Sequence, residues 1–519
     1  MPENTHTEVE LKLRLLNPES WASVFTAPAL TELNASALEN KRMEACYFDS
    51  SDQALQHAGI AYRVRLEGGQ WVATVKAGGT SSGGLHQRQE WNVKVTDPLP
   101  SIEYFQQTEA GPMLTSILGD NPLLPLFSTA FDRQTIEINV SDGSRVELAV
   151  DIGFIIADDR QEPIAEVELE LLAGNPAAVL HLGAELARTV PLIVEPRSKY
   201  FRGLQLAGLD ADEYPGEDGP GSLPAATGTD SAFRQLMTHQ LHQVFTAQQL
   251  FLQNVDDPET MHQFRIQLRR LRSLLSFAKP LVDPEGYAHW QAQLRDWSQS
   301  TNSLRETDVM LATWQEITVT GNLTLLPPPW LAMMLQTERT TLVAALTGTL
   351  TNGQSTPLLL GFWAWLTGDA FLSTEDELPW TGFALLRLTG WLDDMRKLAK
   401  DLTPDDPAGV HQLRIFGKKL RYALESLPLR DRKTRALLTR LKRLQDCLGI
   451  FRDSQVLNET LNGWLNNQAS RVLYRDAGLL LGWTARARQA AGQDYEKQRQ
   501  KFKRVAKRWL KDKEQQLRE

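Results

Sequence analysis

The period of the hydrophobic residues changes once along this chain, and that change limits the folds open to it more than any other feature. Up to residue 205, apolar and polar or charged residues alternate in short runs: "EVELKLRL", "AYRVRLEGGQWVATVKA", "HQRQEWNVKV", "DRQTIEINVSDGSRVELAVDIGFII" and "IAEVELELL". That is the two-residue period of β-strands. From residue 228 almost to the end, Leu, Ala, Arg and Gln recur at helical spacing and alternating runs are absent. Between the two lies "LAGLDADEYPGEDGPGSLPAATGTD", which has neither period and reads as a linker. The expected fold is therefore a two-domain α+β chain: an antiparallel β domain over 1–205, a linker over 206–227, and an all-α domain over 228–519. "LEGGQW" and "VSDGSR" place Gly where hairpin turns need positive φ. Helices in the first domain are expected near 17–39, 101–118 and 175–188.

Charge separates the same two halves. Residues 1–227 hold 16 Lys+Arg against 33 Asp+Glu, a net of −17, whereas the rest holds 39 against 31, a net of +8. An acidic first half suits cation binding, and a basic second half suits a polyanion. Only Cys46 and Cys447 occur, which excludes a disulfide framework and a cysteine zinc site. The longest nearly apolar run, "PLLLGFWAWLTG", is about half a membrane span. The first residues, "MPENTHTEVE", lack a basic and apolar leader. No membrane partner and a cytoplasmic location are the expectations.

Within the β half, one parity of each strand is ionic. Glu8, Glu10, Lys12 and Arg14 alternate with Val9, Leu11, Leu13 and Leu15; Arg63 and Arg65 share a face, as do Arg88 and Glu90, and Glu166, Glu168 and Glu170; Lys76, Arg133 and Asp151 lie on further strands. In an open sheet this face would be a solvated surface. Acids, however, concentrate on the first and last strands and cations on the middle ones. A closed sheet with the ionic parity inward accounts for that segregation. Carboxylates crowded in a lumen take up protons unless a cation neutralises them. Without His or Cys among them, they suit Mg²⁺ or Mn²⁺. The ligand that satisfies both clusters is a polyanion that also chelates a divalent metal, and linear phosphate is the obvious one.

The helical half repeats itself. "DDPETMHQFRIQLRRLR" (256–272) and "DDPAGVHQLRIFGKKLR" (405–421) agree at nine of seventeen positions, each with an Asp-Pro helix start. The repeats are expected at about 228–380 and 381–519. His262, Arg265, Arg269 and Arg272 fall on one helix face, and His411, Arg414, Lys418 and Arg421 repeat it; "SLRETDVM" and "IFRDSQVL" superpose Arg305 on Arg452. Neither face is expected to carry an acidic partner one turn away, so an anion is expected to neutralise each. Aromatics are sparse between the cations, so bare phosphate fits this face better than nucleic acid, which is not expected as a ligand. The mixed-charge C-terminal helix is expected to be solvated.

"EVELK" resembles the Glu-x-Glu-x-Lys signature of the CYTH, or triphosphate tunnel metalloenzyme, superfamily, and "YRVRL", "TVK", "RQEW", "AVDIG", "EVELEL" and "PRSKYFRG" follow in that family's order. The resemblance implies an eight-stranded antiparallel tunnel with flanking helices, Mg²⁺ or Mn²⁺ dependence, and hydrolysis of inorganic triphosphate to pyrophosphate and phosphate. It implies catalytic roles for Glu8, Glu10, Lys12, Glu166 and Glu168, and metal binding by Glu8, Glu10, Glu90, Asp151, Glu166 and Glu168. Lys12, Arg63, Arg65, Lys76, Arg133 and, more weakly, Lys199 would hold the substrate, with Arg14, Arg88 and Glu170 unassigned. The second half resembles the CHAD domain, which implies binding of inorganic polyphosphate through the two His-x-x-Arg helices with Arg305 and Arg452. Two other functions stay open: a thiamine or nucleoside triphosphatase, and a polyphosphate-binding adaptor whose tunnel only senses triphosphate. The His-Phe pair of the family's cyclases is missing, since Thr7 follows His6.

Overall fold

The computed structural model describes residues 6–82, 84–209, 223–224, 227–320, 330–368, 370–372, 379–400, 402–403, 406–429, 431–467 and 471–516. Most of the expected linker, and Asp405 of the second Asp-Pro start, lie outside them. The chain divides into two compact units, one formed by Met1–Glu217 with Gly348–Gly368, the other by Asp218–Thr347 with Asp369–Glu519.

The strands of the first unit are β1 (His6–Leu15), β2 (Asn34–Ala35), β3 (Glu39–Asp49), β4 (Ile60–Glu67), β5 (Gln70–Ser82), β6 (Leu85–Val95), β7 (Leu124–Asn139), β8 (Arg145–Ala157), β9 (Arg160–Ala173) and β10 (Leu192–Val194). Its helices are α1 (Trp21–Phe25), α2 (Ala54–His57), α3 (Ala110–Leu118), α4 (Ala177–Leu186) and α5 (Lys199–Leu206). The strands run β1-β6-β5-β4-β3-β7-β8-β9, and β9 pairs again with β1, so eight antiparallel strands close into a barrel. β1 can close it because residues 6–11 pair with β6 while residues 10–14 pair with β9. Both expected hairpin turns form: Gly68 and Gly69 take φ of 56° and 84° between β4 and β5, and Gly143 takes 86° between β7 and β8.

The apolar parity faces outward and is covered. On one side Tyr62, Val64, Ala73 and Val75 pack with Phe105, Leu114 and Leu118. On the opposite parity to Glu10 and Glu168, Leu11, Leu13, Val167 and Leu169 are wholly buried. The helix expected near 17–39 is instead α1 between two single 3-10 turns, at Pro18–Ser20 and Pro28–Leu30. Each turn begins at a proline, whose missing N–H interrupts a longer helical ladder. α5 packs into the barrel with Met43, Tyr47, Phe127, Phe131 and Ile155, burying Leu204. There Gly203 is required, because a Cβ would stand 2.1 Å from the Phe127 ring.

The second unit is built from α6 (Thr229–Gln253), α7 (Pro258–Ala278), α8 (Pro284–Ser300), α9 (Asn302–Thr320) and α10 (Trp330–Thr351), and, beyond α11 (Thr356–Thr367), from α12 (Trp380–Leu398), α13 (Pro407–Ser426), α14 (Arg432–Asn467) and α15 (Arg471–Gln516). α10 runs across the boundary into the first unit, and α11 belongs wholly to that unit, so residues expected inside the first helical repeat build the other body. The Asp-Pro starts behave as caps: Asp257 accepts from the Glu259 N–H at 2.9 Å, and Asp406 from the Gly409 N–H at 3.0 Å. Phe264, Leu268, Leu271 and Leu275 form the fully buried stripe of α7. The two copies differ further on. The first is broken at Thr301 between α8 and α9, whereas the second is the uninterrupted α14. α15 is not merely solvated: Tyr495, Phe502 and Trp509 are buried to 2% exposure or less, and the Trp509 indole donates to Thr434 at 3.0 Å.

Candidate functional site

The barrel encloses a cavity of about 440 Å³ lined by ionic side chains from seven of its eight strands, β3 supplying Met43 and Tyr47 instead. Acids of β1, β8 and β9 meet along one wall. Carboxylate oxygens of Asp151, Glu166 and Glu168 come within 4.8 Å of one another, close enough to share one cation. Cross-strand register explains the convergence, since Asp151 stands opposite Glu166, and Lys12 opposite Glu168. Lys199 Nζ reaches all three carboxylates, at 2.8 Å from Asp151, 2.7 Å from Glu166 and 2.8 Å from Glu168. Arg133 forks onto Asp151 at 2.7 and 2.6 Å and touches Glu168. Lys12 bridges Glu10 at 2.8 Å and Glu168 at 2.6 Å.

Burial raises the cost of the excess negative charge. The Glu10 carboxyl is pushed up to about 8, first by burial and then by Glu168. Glu168, held by Lys12, Lys199 and Arg133, is carried well below the usual carboxylate range despite its burial. One of the two neighbours thus keeps a proton that a divalent ion would displace. The Lys199 ammonium already serves Asp151, Glu166 and Glu168 together, so Glu8, Glu10 and Glu168, carboxylates that face the cavity, are the all-oxygen donors that fit a hard cation there.

The opposite wall is cationic. Lys76 bridges Glu8 at 2.6 Å and Glu90 at 2.9 Å. Arg63 donates to the Tyr47 hydroxyl at 3.3 Å, and Arg65 lies 3.2 Å from Glu67. The Nε of each guanidinium is buried with no hydrogen-bond partner among the described residues. Burial, reinforced by Arg63, pulls the Arg65 guanidinium down. Glu8, Glu10, Lys12, Arg63, Arg65, Lys76, Glu90, Arg133, Glu168 and Lys199 all line one cavity, with Asp151 and Glu166 behind Lys199. Arg88 and Glu170 line it too, and burial followed by Glu8 pushes the Glu170 carboxyl up to about 7. Arg14 turns outward, half-exposed, toward Glu195.

Side chains outside the expected set join this network. Arg202 is buried, touches Glu166, and bonds Glu162 at 2.7 Å and the Pro163 carbonyl at 2.6 Å. Tyr47, His86, Glu147 and Tyr200 also line the cavity. The spacing of Lys199 and Arg202, one helical turn apart in "SKYFRG", was the available signal for Arg202.

In the helical unit the two basic faces meet, because α7 packs on α13. Burial, then Arg269 and Arg414, draw the Lys418 ammonium down to about 6. Burial and Arg305 draw His262 down to about 4, and burial and Arg452 also lower His411, so both imidazoles are neutral at pH 7. The face is less pure than expected. Asp453 lies 3.4 Å from Arg414, and Glu425 lies one turn from Arg421 at 3.5 Å and bonds Arg270 at 3.0 Å. Arg272 belongs to another neighbourhood, beside Arg295 and Asp296. Arg265 is occupied: it donates to Thr301, to Asn302 at 2.7 Å and to the Ser298 carbonyl at 3.3 Å, holding the break between α8 and α9.

No helix among the described residues is long and apolar enough to cross a membrane. The CYTH domain family matches residues 6–203, and the CHAD domain family matches residues 235–462. An inorganic triphosphatase of Haemophilus influenzae is 33% identical over 171 residues, 32% of this chain and 46% of that protein, so the match spans less than half of the relative's length. Among solved structures, HpAC1 from Hippeastrum, described as having a dominant triphosphatase activity, is 18% identical, with a TM-score of 0.30, over 39% of this chain and 97% of that one. The CHAD domain from Ricinus communis is 25% identical, with a TM-score of 0.45, over 54% of this chain and 97% of that one.

Proposed function

From a chain that carries a CYTH domain followed by a CHAD domain, we propose a divalent-metal-dependent hydrolase that cleaves inorganic triphosphate to pyrophosphate and phosphate, joined to a helical domain that binds inorganic polyphosphate. The observation that carries the reading is the sharing of one cavity by the carboxylates of Glu8, Glu10 and Glu168 and by two guanidiniums, Arg63 and Arg65, whose Nε atoms lack hydrogen-bond partners among the described residues. A bound phosphate chain would supply acceptors for those donors. Glu8, Glu10 and Glu168, acids of β1 and β9 that line the cavity, would hold Mg²⁺ or Mn²⁺, which when bound neutralises the charge on the phosphoryl oxygens, and Asp151 and Glu166, paired with Lys199 behind them, would support that wall.

The chain's own residues then position and deprotonate. Arg63, Arg65 and Lys76 grip the phosphate oxygens, and Lys12, Arg133 and Lys199 keep the carboxylate wall in place. Once its own proton has left, Glu10, with its carboxyl near 8, can take the proton of the water that attacks the terminal phosphorus, with pyrophosphate as the leaving group. The Haemophilus relative named an inorganic triphosphatase supports this substrate. The test is phosphate release from tripolyphosphate with and without EDTA, set beside thiamine triphosphate and ATP. Metal-independent release, or none, overturns the hydrolase; preference for an organic triphosphate overturns the substrate.

The polyphosphate reading of the second unit rests on Arg269, Arg305, Arg414 and Lys418, whose charges act on one another across α7, α9 and α13. Polyphosphate affinity that is absent, or that does not weaken with salt, would remove it.

A further inference from the structure

The run "PLLLGFWAWLTG", the longest nearly apolar one of the sequence, has no part in either phosphate site. It lies within the stretch matched by the CHAD domain, yet it forms α11 and packs in the tunnel unit. Its side chains are core residues there: Leu359, Leu360, Phe362, Trp363 and Leu366 are all buried to 3% exposure or less. α11 lies on α4, and α4 lies on β1 and β9.

Two close approaches and one ordinary contact join the segment to this unit. A Cβ on Gly183 of α4 would stand 2.6 Å from Leu11, 3.3 Å from Leu360 and 3.4 Å from Leu169, so one glycine lets β1, β9, α4 and α11 meet. Gly353, at φ 84°, brings the turn before α11 against Leu192 of β10, where a Cβ would stand 2.9 Å from the backbone nitrogen. At the other end, Gly368 abuts Ala177, with a Cβ distance of 4.0 Å. Leu11 and Leu169 are the outward neighbours of Glu10 and Lys12, and of Glu168 and Glu170. Because successive side chains of a strand point to opposite faces, any shift of those leucines moves the carboxylates behind them.

We propose that Gly348–Gly368 is an outer layer of the tunnel unit supplied from the middle of the helical half, and that Leu360 and its neighbours are positioning residues for the carboxylates of β1 and β9. The tunnel sequence 1–205 then lacks part of its own fold, and the fully buried face of α4 is the docking surface for this one segment. The inference rests on the proposed function only where metal binding is the readout.

The experiment uses the full chain. Native-state hydrogen exchange under rising urea should show 356–367 opening together with 177–186, 8–15 and 164–171; opening with 407–426 instead overturns the assignment. Leu360→Ala should speed exchange in 177–186 and weaken Mn²⁺ binding, measured by calorimetry, by about tenfold, with polyphosphate affinity unchanged. Leu360→Met should restore the Mn²⁺ affinity. Unchanged Mn²⁺ affinity in a folded Leu360→Ala chain overturns the positioning role. If that variant does not fold, exchange in the unmodified chain decides. If the unmodified chain binds no Mn²⁺, the hydrolase reading falls, and exchange still decides whether the segment belongs to the tunnel.

Discussion

Lys199 donates to Asp151 at 2.8 Å, tying α5 to the acid wall of the barrel. The same ammonium serves Glu166 and Glu168, and all four groups are buried. Lys199→Met should remove the one cation that all three facing carboxylates share, leaving Arg133, Lys12 and Arg202 to neutralise them, at a cost of about 3–5 kcal/mol. Urea denaturation in EDTA should show that loss, and added Mn²⁺ should recover part of it. An unchanged midpoint in EDTA would mean that the cluster does not depend on Lys199.

Glu10 sets the expected pH dependence of metal binding. With its carboxyl near 8 in the metal-free chain, a proton must leave before the group can act as a ligand, so Mn²⁺ affinity should rise with pH up to about 8 and then level. The stability of the metal-free chain should run the other way. The folded value lies above the ordinary 4.5, so the folded state binds more protons between those values and loses stability as pH rises from about 4.5 to 8. Glu10→Gln should flatten both trends and lower turnover by about a hundredfold or more. Calorimetry at several pH values checks the first, and denaturation checks the second.

Lys418 should take up a proton when polyphosphate binds. Its ammonium is drawn down to about 6 by burial, Arg269 and Arg414, so it is largely neutral at pH 7.5, and an anion would restore its charge. Calorimetry in buffers of different ionisation enthalpy should show uptake of about one proton per site at that pH, with affinity rising as pH falls toward 6. Without ligand, the unfolded state binds the extra proton between about 6 and 10.5, so this group's contribution to stability rises with pH across that range. Lys418→Met should abolish the proton uptake.

Arg265 and Arg269 share a helix face but should fail differently. Arg265 clasps Ser298, Thr301 and Asn302, so Arg265→Gln should lower stability by about 2–3 kcal/mol. Arg269, whose Nε has no partner among the described residues, should lose polyphosphate affinity on substitution by Gln while stability changes little. Denaturation and polyphosphate titration of the two variants separate these outcomes.

Local repetition carried much of the architecture. The two-residue alternation of "EVELKLRL" already separates Glu8, Glu10 and Lys12 from Leu11 and Leu13, because a strand offers only two faces. The duplicated His-x-x-Arg pattern likewise marks α7 and α13 and their Asp-Pro caps before any contact is known. Such patterns depend only on neighbours a few positions apart, so a single chain displays them directly. They also assign Arg265 and Arg414 the same role, which the bent first copy then separates. One guanidinium is spent on Thr301, and the other lies beside Asp453.

Which faces meet is a different matter, because burial of apolar surface joins residues regardless of their distance along the chain. Arg202 reaches Glu166 only after α5 packs against the barrel, and Arg63 and Arg65 face the acid wall only because β9 returns to β1. An apolar run inside a helical domain reads as that domain's core. Leu360 instead lies at Gly183, beside Leu11 and Leu169, because α4 presents a buried apolar face there, and no periodicity records which of two cores a helix will join.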